Sequence, residues 1–169
     1  MIDILIVDDH AIVREGLQAI LKLEEGISVV GMAKNGAEAL KVVTSHKVDV
    51  IILDISLPGR NGLEIIKEVK KVQPNVRIIM LSVYPEDRFA IRAFKAGASG
   101  YLTKEMAPEM IVEAIRKVSS GGKYITPAIA EKLGISDRTV STYRTRILKK
   151  MNLKNNSEII HYVIDNGLI

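Results

Sequence analysis

Cysteine is absent from this sequence of 169 residues. The chain can therefore form no disulfide bond and no cysteine-ligated zinc site, which is typical of cytosolic proteins. No apolar run approaches the roughly eighteen residues that cross a bilayer. The sequence also begins without the basic region that opens a signal peptide, and it contains no internal repeat. We therefore expect a globular protein located in the cytoplasm.

The net charge of +4 arises entirely in the last part of the chain. Residues 1–122 contain 16 Lys and Arg against 16 Asp and Glu, whereas residues 123–169 contain 8 against 4. A neutral body followed by a basic segment indicates that the segment binds a polyanion, although a solvated basic surface would give the same count.

Residues 1–122 alternate short apolar runs with segments of helical periodicity. The apolar runs lie at 4–7, 28–32, 50–53, 78–81 and 99–102. The third run, Val-Ile-Ile-Leu, lacks polar alternation, as is typical of a strand buried on both faces of a parallel sheet. Five strand–helix units predict an α/β fold, a doubly wound, flavodoxin-like parallel sheet of order 2-1-3-4-5.

The composition changes after Gly121 and Gly122, and the remaining pattern is helical only. We predict a linker over 123–127 and a small all-α module over 128–169. Within it, a helix over 128–133, a turn, and a helix from Ser136 to about Met151 form a helix-turn-helix. Ser157 caps a last helix.

Three carboxylates are expected at one edge of the sheet. Asp8 and Asp9 follow the first strand, and Asp54 ends the third. Ligands of open α/β sheets bind outside the carboxyl ends of the strands. Crowded carboxylates need a hard cation, and Mg²⁺ fits, although Asp9 could simply cap the first helix. Ser82 and Lys104 should face the same rim, offering the hydroxyl and ammonium that a phosphorylated aspartate requires.

At these residues the chain resembles the receiver domain of two-component response regulators, over residues 1–122. The matching segments are VDDH at 7–10, LDISLPG at 53–59, NG at 61–62, MLS at 80–82 and GYLTK at 100–104. The resemblance implies that Asp54 is the phosphoacceptor and that Lys104 pairs with the phosphoryl group. It also implies a magnesium site and a switch formed by Ser82 and Tyr101. The implied magnesium ligands are Asp8, Asp9, Asp54 and the main-chain carbonyl of Ser56. Many receivers have proline where Glu105 stands, so a cis-proline is excluded there.

The helix predicted over 137–151 is apolar on one side and carries hydroxyls and cations on the other. With the preceding turn, its sequence ISDRTVSTYRTRILKKM (135–151) is similar to the recognition helix of the NarL/FixJ (LuxR-type) regulators. The resemblance implies contacts with bases and phosphates, and a last helix that pairs two modules on DNA. The implied DNA-binding residues are Arg138, Ser141, Thr142, Thr145, Arg146 and Lys149.

One departure from that family concerns the helix before the helix-turn-helix. Family members carry an additional long amphipathic helix there, and this sequence lacks it. Either the chain has an internal deletion, or the sequence omits a stretch of the protein.

Taken together, these motifs predict a phosphorylation-controlled transcription regulator. It would receive its phosphoryl group from a histidine kinase, bind double-stranded DNA and pair as a homodimer. It would act as a switch and not as a turnover enzyme. Two alternatives remain. A phosphohydrolase of haloacid-dehalogenase type would need a carboxylate where Ser56 stands, and a receiver with a defective module would signal through protein contacts.

Overall fold

The structure is a computed structural model, and it describes residues 1–134. The chain divides into two units, Met1–Tyr124 and Ile125–Ile169. The helix predicted over 137–151 and all six predicted DNA-binding residues lie outside the described residues. Within residues 1–134, no helix is both long and apolar enough to cross a membrane.

The first unit is built on a five-stranded parallel sheet. Its strands are β1 (Ile2–Val7), β2 (Ile27–Ala33), β3 (Val50–Asp54), β4 (Arg77–Ser82) and β5 (Gly100–Thr103). They are arranged in the order β2-β1-β3-β4-β5, which confirms the predicted topology. Every residue of β3 is buried, because β3 is the central strand and helices cover both faces.

Five helices connect or follow the strands of this sheet. They are α1 (Ala11–Lys22), α2 (Gly36–Ser45), α3 (Gly62–Val72), α4 (Glu86–Ala96) and α5 (Ala107–Ser119). The Asn35 side chain caps α2 by accepting a hydrogen bond from Glu38 N at 2.9 Å. Gly97 ends α4 in the left-handed conformation, with φ of 116°.

The strand register brings the functional candidates to one edge. Val7 lies beside Leu53 in the β1–β3 pair, so Asp8 and Asp54 follow at the same level. Asp54 pairs with Leu81, and Ser82 pairs with Thr103. All of these residues stand at the carboxyl ends of their strands, as the sequence predicts.

After α5 the chain returns to the edge of the sheet. Tyr124 N donates to Ser99 O at 2.9 Å, and Tyr101 N donates to Tyr124 O at 3.2 Å. Tyr124 is fully buried and forms a single parallel bridge with Gly100. Residues just beyond residue 122 therefore complete the edge of β5. In the second unit, α6 (Pro127–Leu133) ends at Gly134, whose φ is 65°.

Candidate functional site

The centre of the site consists of two buried carboxylates. Asp8 follows β1 directly, and its N–H donates to Ala33 O at 3.1 Å, continuing the β1–β2 ladder. Asp54 is the last residue of β3. Asp8 and Asp54 are 0% and 1% exposed. Burying two carboxylates together is costly unless a cation neutralises them.

Lys104 supplies one such cation. Its Nζ donates to Asp54 Oδ2 at 2.7 Å and lies 2.7 Å from Asp8 Oδ2. The Asp8 contact has the distance of an ion pair without hydrogen-bond geometry. Burial by itself lowers the pKa of Lys104, but the hydrogen bond to Asp54 and the negative charges of Asp54 and Asp8 outweigh it and raise that pKa. The ammonium therefore stays charged between the two carboxylates.

Asp9 and His10 complete the pocket at its rim. His10 N donates to Asp8 Oδ1 at 2.8 Å, and the ring Nδ1 lies 3.0 Å from the same oxygen. Nδ1 is also 2.9 Å from Asp9 Oδ1. Sequence reasoning gave His10 no role. The only available signal was its position directly after the two aspartates, and that signal does not fix where the ring lies.

The acidic cluster suits a divalent cation. Asp8, Asp9, His10 and Asp54 each offer one ligand atom, and these atoms lie within 4.8 Å of one another. Among the described residues, Asp8 Oδ2 and Asp9 Oδ1 are shielded from solvent without a hydrogen-bond donor. Carboxylate oxygens at this spacing are the donors that a hard cation takes, and Asp8 Oδ2 now forms an ion pair with Lys104.

The loop after β3 fixes the second oxygen of Asp54. Ser56 N donates to Asp54 Oδ1 at 3.0 Å, and the Ser56 residue itself is exposed. Gly62 N donates to Ile55 O at 3.0 Å, which holds the start of α3 against this loop. Both oxygens of the Asp54 carboxylate thus have a donor.

Ser82 and Tyr101 are joined through one residue of the β4–α4 loop. Ser82 Oγ accepts a hydrogen bond from Tyr84 N at 2.9 Å. The Tyr101 hydroxyl donates to Tyr84 O at 3.1 Å, and its ring is buried. Tyr84 was not singled out from the sequence. Since it bonds both side chains through its backbone, no side-chain pattern could have revealed it.

The structure therefore brings the predicted residues of the first unit to one edge of the sheet. Lys104 N donates to Ser82 O at 2.8 Å, which fixes the lysine backbone beside the serine. The residues gathered at this edge are Asp8, Asp9, Asp54, Ser56, Ser82, Tyr101 and Lys104.

Comparison with known proteins agrees with this geometry. The model of the response regulator receiver domain matches residues 4–116. The model of the bacterial regulatory proteins of the luxR family matches residues 122–163. The chain belongs to the LuxR-type response regulators. This response regulator is a phosphorylation-controlled, DNA-binding transcription regulator, and the match over 122–163 favours that function over signalling through protein contacts alone.

Alignments with related proteins cover nearly the whole chain. It is 35% identical to response regulator UvrY of Escherichia coli, over 99% of this chain and 96% of that protein. It is 32% identical to response regulator GacA of Pseudomonas aeruginosa, over 100% and 98%. A crystal structure of a LuxR-family two-component response regulator from Aurantimonas superimposes with a TM-score of 0.70 at 32% identity, covering 85% and 97%.

The relatives are longer than this response regulator. The alignment with UvrY spans 209 positions, whereas the chain has 169 residues, so about 40 positions have no counterpart here. The predicted absence of the helix before the helix-turn-helix stays a prediction, and this difference in length agrees with it.

Proposed function

We propose that Asp54 accepts a phosphoryl group from a histidine kinase and that the modified receiver controls a DNA-binding module. One observation carries the proposal. Lys104 Nζ lies 2.7 Å from oxygens of two buried carboxylates, Asp8 and Asp54, at the carboxyl edge of the sheet. An ammonium held in this way is positioned to pair with oxygens added to Asp54.

The chemistry at Asp54 is a phosphoryl transfer. One carboxylate oxygen of Asp54 attacks phosphorus, a new O–P bond forms, and the bond to the donor's imidazole nitrogen breaks. Positioning and charge neutralisation supply most of the catalysis in such transfers. Lys104 reaches Asp54 Oδ2 and can follow the negative charge onto the phosphoryl oxygens. The step leaves a modified protein, so the chain acts as a switch and not as a turnover enzyme.

A divalent cation would be held by the carboxylates of Asp8, Asp9 and Asp54 and by the main-chain carbonyl of Ser56. Mg²⁺ in this position would supply neutralisation of the carboxylates and coordination of phosphoryl oxygens. Asp9 Oδ1 supports this assignment, because it is shielded from solvent and accepts no hydrogen bond from the described residues.

The switch would act through the β4–α4 loop. The Ser82 hydroxyl oxygen accepts a hydrogen bond from Tyr84 N at 2.9 Å. To turn toward a phosphoryl group, the hydroxyl must break this hydrogen bond. The Tyr101 hydroxyl is bonded to the carbonyl of the same residue, Tyr84. A rotation of Ser82 therefore changes the backbone that anchors Tyr101. This link supports a population shift between two arrangements of the loop.

The output would be DNA binding in the cytoplasm by a pair of modules. The predicted contacts divide by chemistry. Ser141, Thr142 and Thr145 would face bases, whereas Arg138, Arg146 and Lys149 would bind phosphates. The excess of four positive charges in residues 123–169 supports a polyanionic partner. Phosphorylation would favour the homodimer.

Labelling at Asp54 tests the proposal. The full chain is incubated with acetyl phosphate and Mg²⁺, and intact mass is measured. We expect one added phosphoryl group in the wild-type protein and none in Asp54→Asn. Asp49→Asn is the matched control, because Asp49 lies just before the opposite end of β3. Equal labelling of Asp54→Asn and Asp49→Asn would exclude Asp54 as the acceptor.

A further inference from the structure

We propose that His10 Nδ1 is a direct ligand of the cation in this pocket, and that it gives the pocket a preference for nitrogen-binding metals such as Ni²⁺ and Zn²⁺. The inference rests on the cation site proposed above and adds a donor to it. Its basis is the position of one ring nitrogen relative to two carboxylate oxygens.

The distances around Nδ1 match an octahedral metal site. Bonds of about 2.1 Å at right angles place neighbouring donor atoms about 3.0 Å apart. His10 Nδ1 is 3.0 Å from Asp8 Oδ1 and 2.9 Å from Asp9 Oδ1. One nitrogen thus stands at ligand–ligand spacing from two oxygens at once. The nitrogen and the two oxygens could occupy neighbouring positions around a single ion.

Hydrogen bonding alone does not account for both contacts. A single N–H on Nδ1 points well at only one oxygen, and the oxygen with hydrogen-bond geometry is Asp8 Oδ1, at 3.0 Å. Asp9 Oδ1 is shielded from solvent and has no hydrogen-bond donor, although Nδ1 lies 2.9 Å away. A cation between these atoms would satisfy the oxygen that the ring leaves without a partner.

The backbone of His10 is held in place independently of its ring. His10 precedes α1 in an extended conformation, with φ of −81° and ψ of 113°. Its carbonyl accepts hydrogen bonds from Val13 N and Arg14 N, both at 3.2 Å. The first turn of α1 therefore fixes where the imidazole starts. The ring reaches the pocket from the rim, where its side chain is 60% exposed.

The added nitrogen changes which metals the pocket favours. Carboxylate, carbonyl and water oxygens suit Mg²⁺, whereas imidazole suits Ni²⁺, Cu²⁺ and Zn²⁺. A pocket that offers only oxygen ligands prefers Ni²⁺ over Mg²⁺ no more than the general order of divalent affinities dictates. With His10 as a ligand, the additional affinity for Ni²⁺ comes from one side chain, and one substitution can remove it.

The test measures metal affinity of the full chain by titration calorimetry, with Mg²⁺ and with Ni²⁺. The variants are His10→Ala and the matched control His46→Ala, an exposed histidine beyond the C-terminus of α2. We expect His10→Ala to weaken Ni²⁺ at this site by about tenfold or more. We expect Mg²⁺ affinity to change much less, and His46→Ala to leave the pocket's affinity for both metals unchanged.

A second measurement reports on the ring itself. In nitrogen-15 NMR spectra of the full chain, Zn²⁺ should shift the Nδ1 resonance of His10, and Asp9→Asn should weaken that shift. An equal loss of Mg²⁺ and Ni²⁺ affinity in His10→Ala would overturn the inference, because the ring would then only orient carboxylates. Unchanged Ni²⁺ affinity would overturn it as well. Magnesium-dependent labelling of Asp54 in the wild-type protein is measured alongside. If that labelling succeeds while the affinity results fail, the inference about His10 is wrong and the proposed function stands.

Discussion

Gly62, the first residue of α3, should not tolerate even the smallest side chain. A Cβ at this position would lie 2.6 Å from the main-chain oxygen of Asp54 and 3.0 Å from Ile55 Cα. Both are backbone atoms, so they cannot rotate away as a side chain could. Relief requires that α3 moves, or that the end of β3 and the loop after it move. We therefore expect Gly62→Ala to disturb the backbone next to the proposed phosphoacceptor.

Two opposing terms decide the magnitude. Replacing glycine by alanine in a helix gains up to about 1 kcal/mol from propensity, and less at the first helical residue. Forcing an extra carbon into a packed site costs about 1–3 kcal/mol. The steric term prevails here because the clash is with backbone, so we expect Gly62→Ala to destabilise the fold.

Gly16 provides the matched comparison. It lies in the middle of α1, and a Cβ there would have no atom within 4 Å. Gly16→Ala should therefore stabilise the protein by about 0.5–1 kcal/mol. The same substitution, glycine to alanine, should thus raise the free energy of unfolding in α1 and lower it in α3.

Thermal unfolding of both variants measures this difference. A change of 1 kcal/mol shifts Tm by about 2–4 °C in a protein of this size. Gly62→Ala should unfold below the wild-type protein and accept phosphate at Asp54 more slowly, and Gly16→Ala should unfold above it. A Gly62→Ala protein as stable as the wild type and equally active in labelling would refute the steric argument.

Three further perturbations test other parts of the account. Because the pKa of Lys104 is raised in the folded state, its ion pairs should stabilise the fold below about pH 10.4, its unfolded pKa, and lose this effect as pH rises through the higher folded value. The advantage of the wild-type protein over Lys104→Met in urea unfolding should therefore shrink above that pH, and a constant difference would contradict the ion-pair role. Asn61 caps α3 by accepting from Leu63 N at 3.0 Å, so Asn61→Ala should cost about 1 kcal/mol in the same assay, and no loss would show the cap to be unimportant. In DNA titrations at several salt concentrations, Arg146→Ala should weaken all sequences alike and reduce the slope of log K against log salt by about 0.9, whereas Thr142→Ala should reduce discrimination between operators. Identical effects of these two substitutions would contradict the division between phosphate and base contacts.

Much of the fold could be predicted because it follows from patterns local to the chain. The unbroken apolar run that became β3 is buried along its whole length, as a central parallel strand must be. Once the strand order is known, Asp8, Asp54, Ser82 and Lys104 must meet at one edge, since parallel strands end on the same side. The pocket thus follows from residue positions alone.

The remaining features depend on contacts that no local pattern encodes. The ring of His10 lies against Asp9 and Asp8 just before α1 begins. Tyr84 connects Ser82 and Tyr101 through its backbone N–H and C=O, which every residue except proline possesses. Such contacts arise only when the loop is folded, so residue identity gives no hint of them.

The hydrogen bonds of Tyr124 bear on how the receiver should be produced as a separate fragment. Without Tyr124, the N–H of Tyr101 and the carbonyl of Ser99 would lose their partners on the outer side of β5. An edge strand left open in this way is a template for pairing with other chains. A fragment cut after Gly122 is therefore expected to self-associate, whereas one extended by a few residues past Tyr124 should remain monodisperse in concentrated solution.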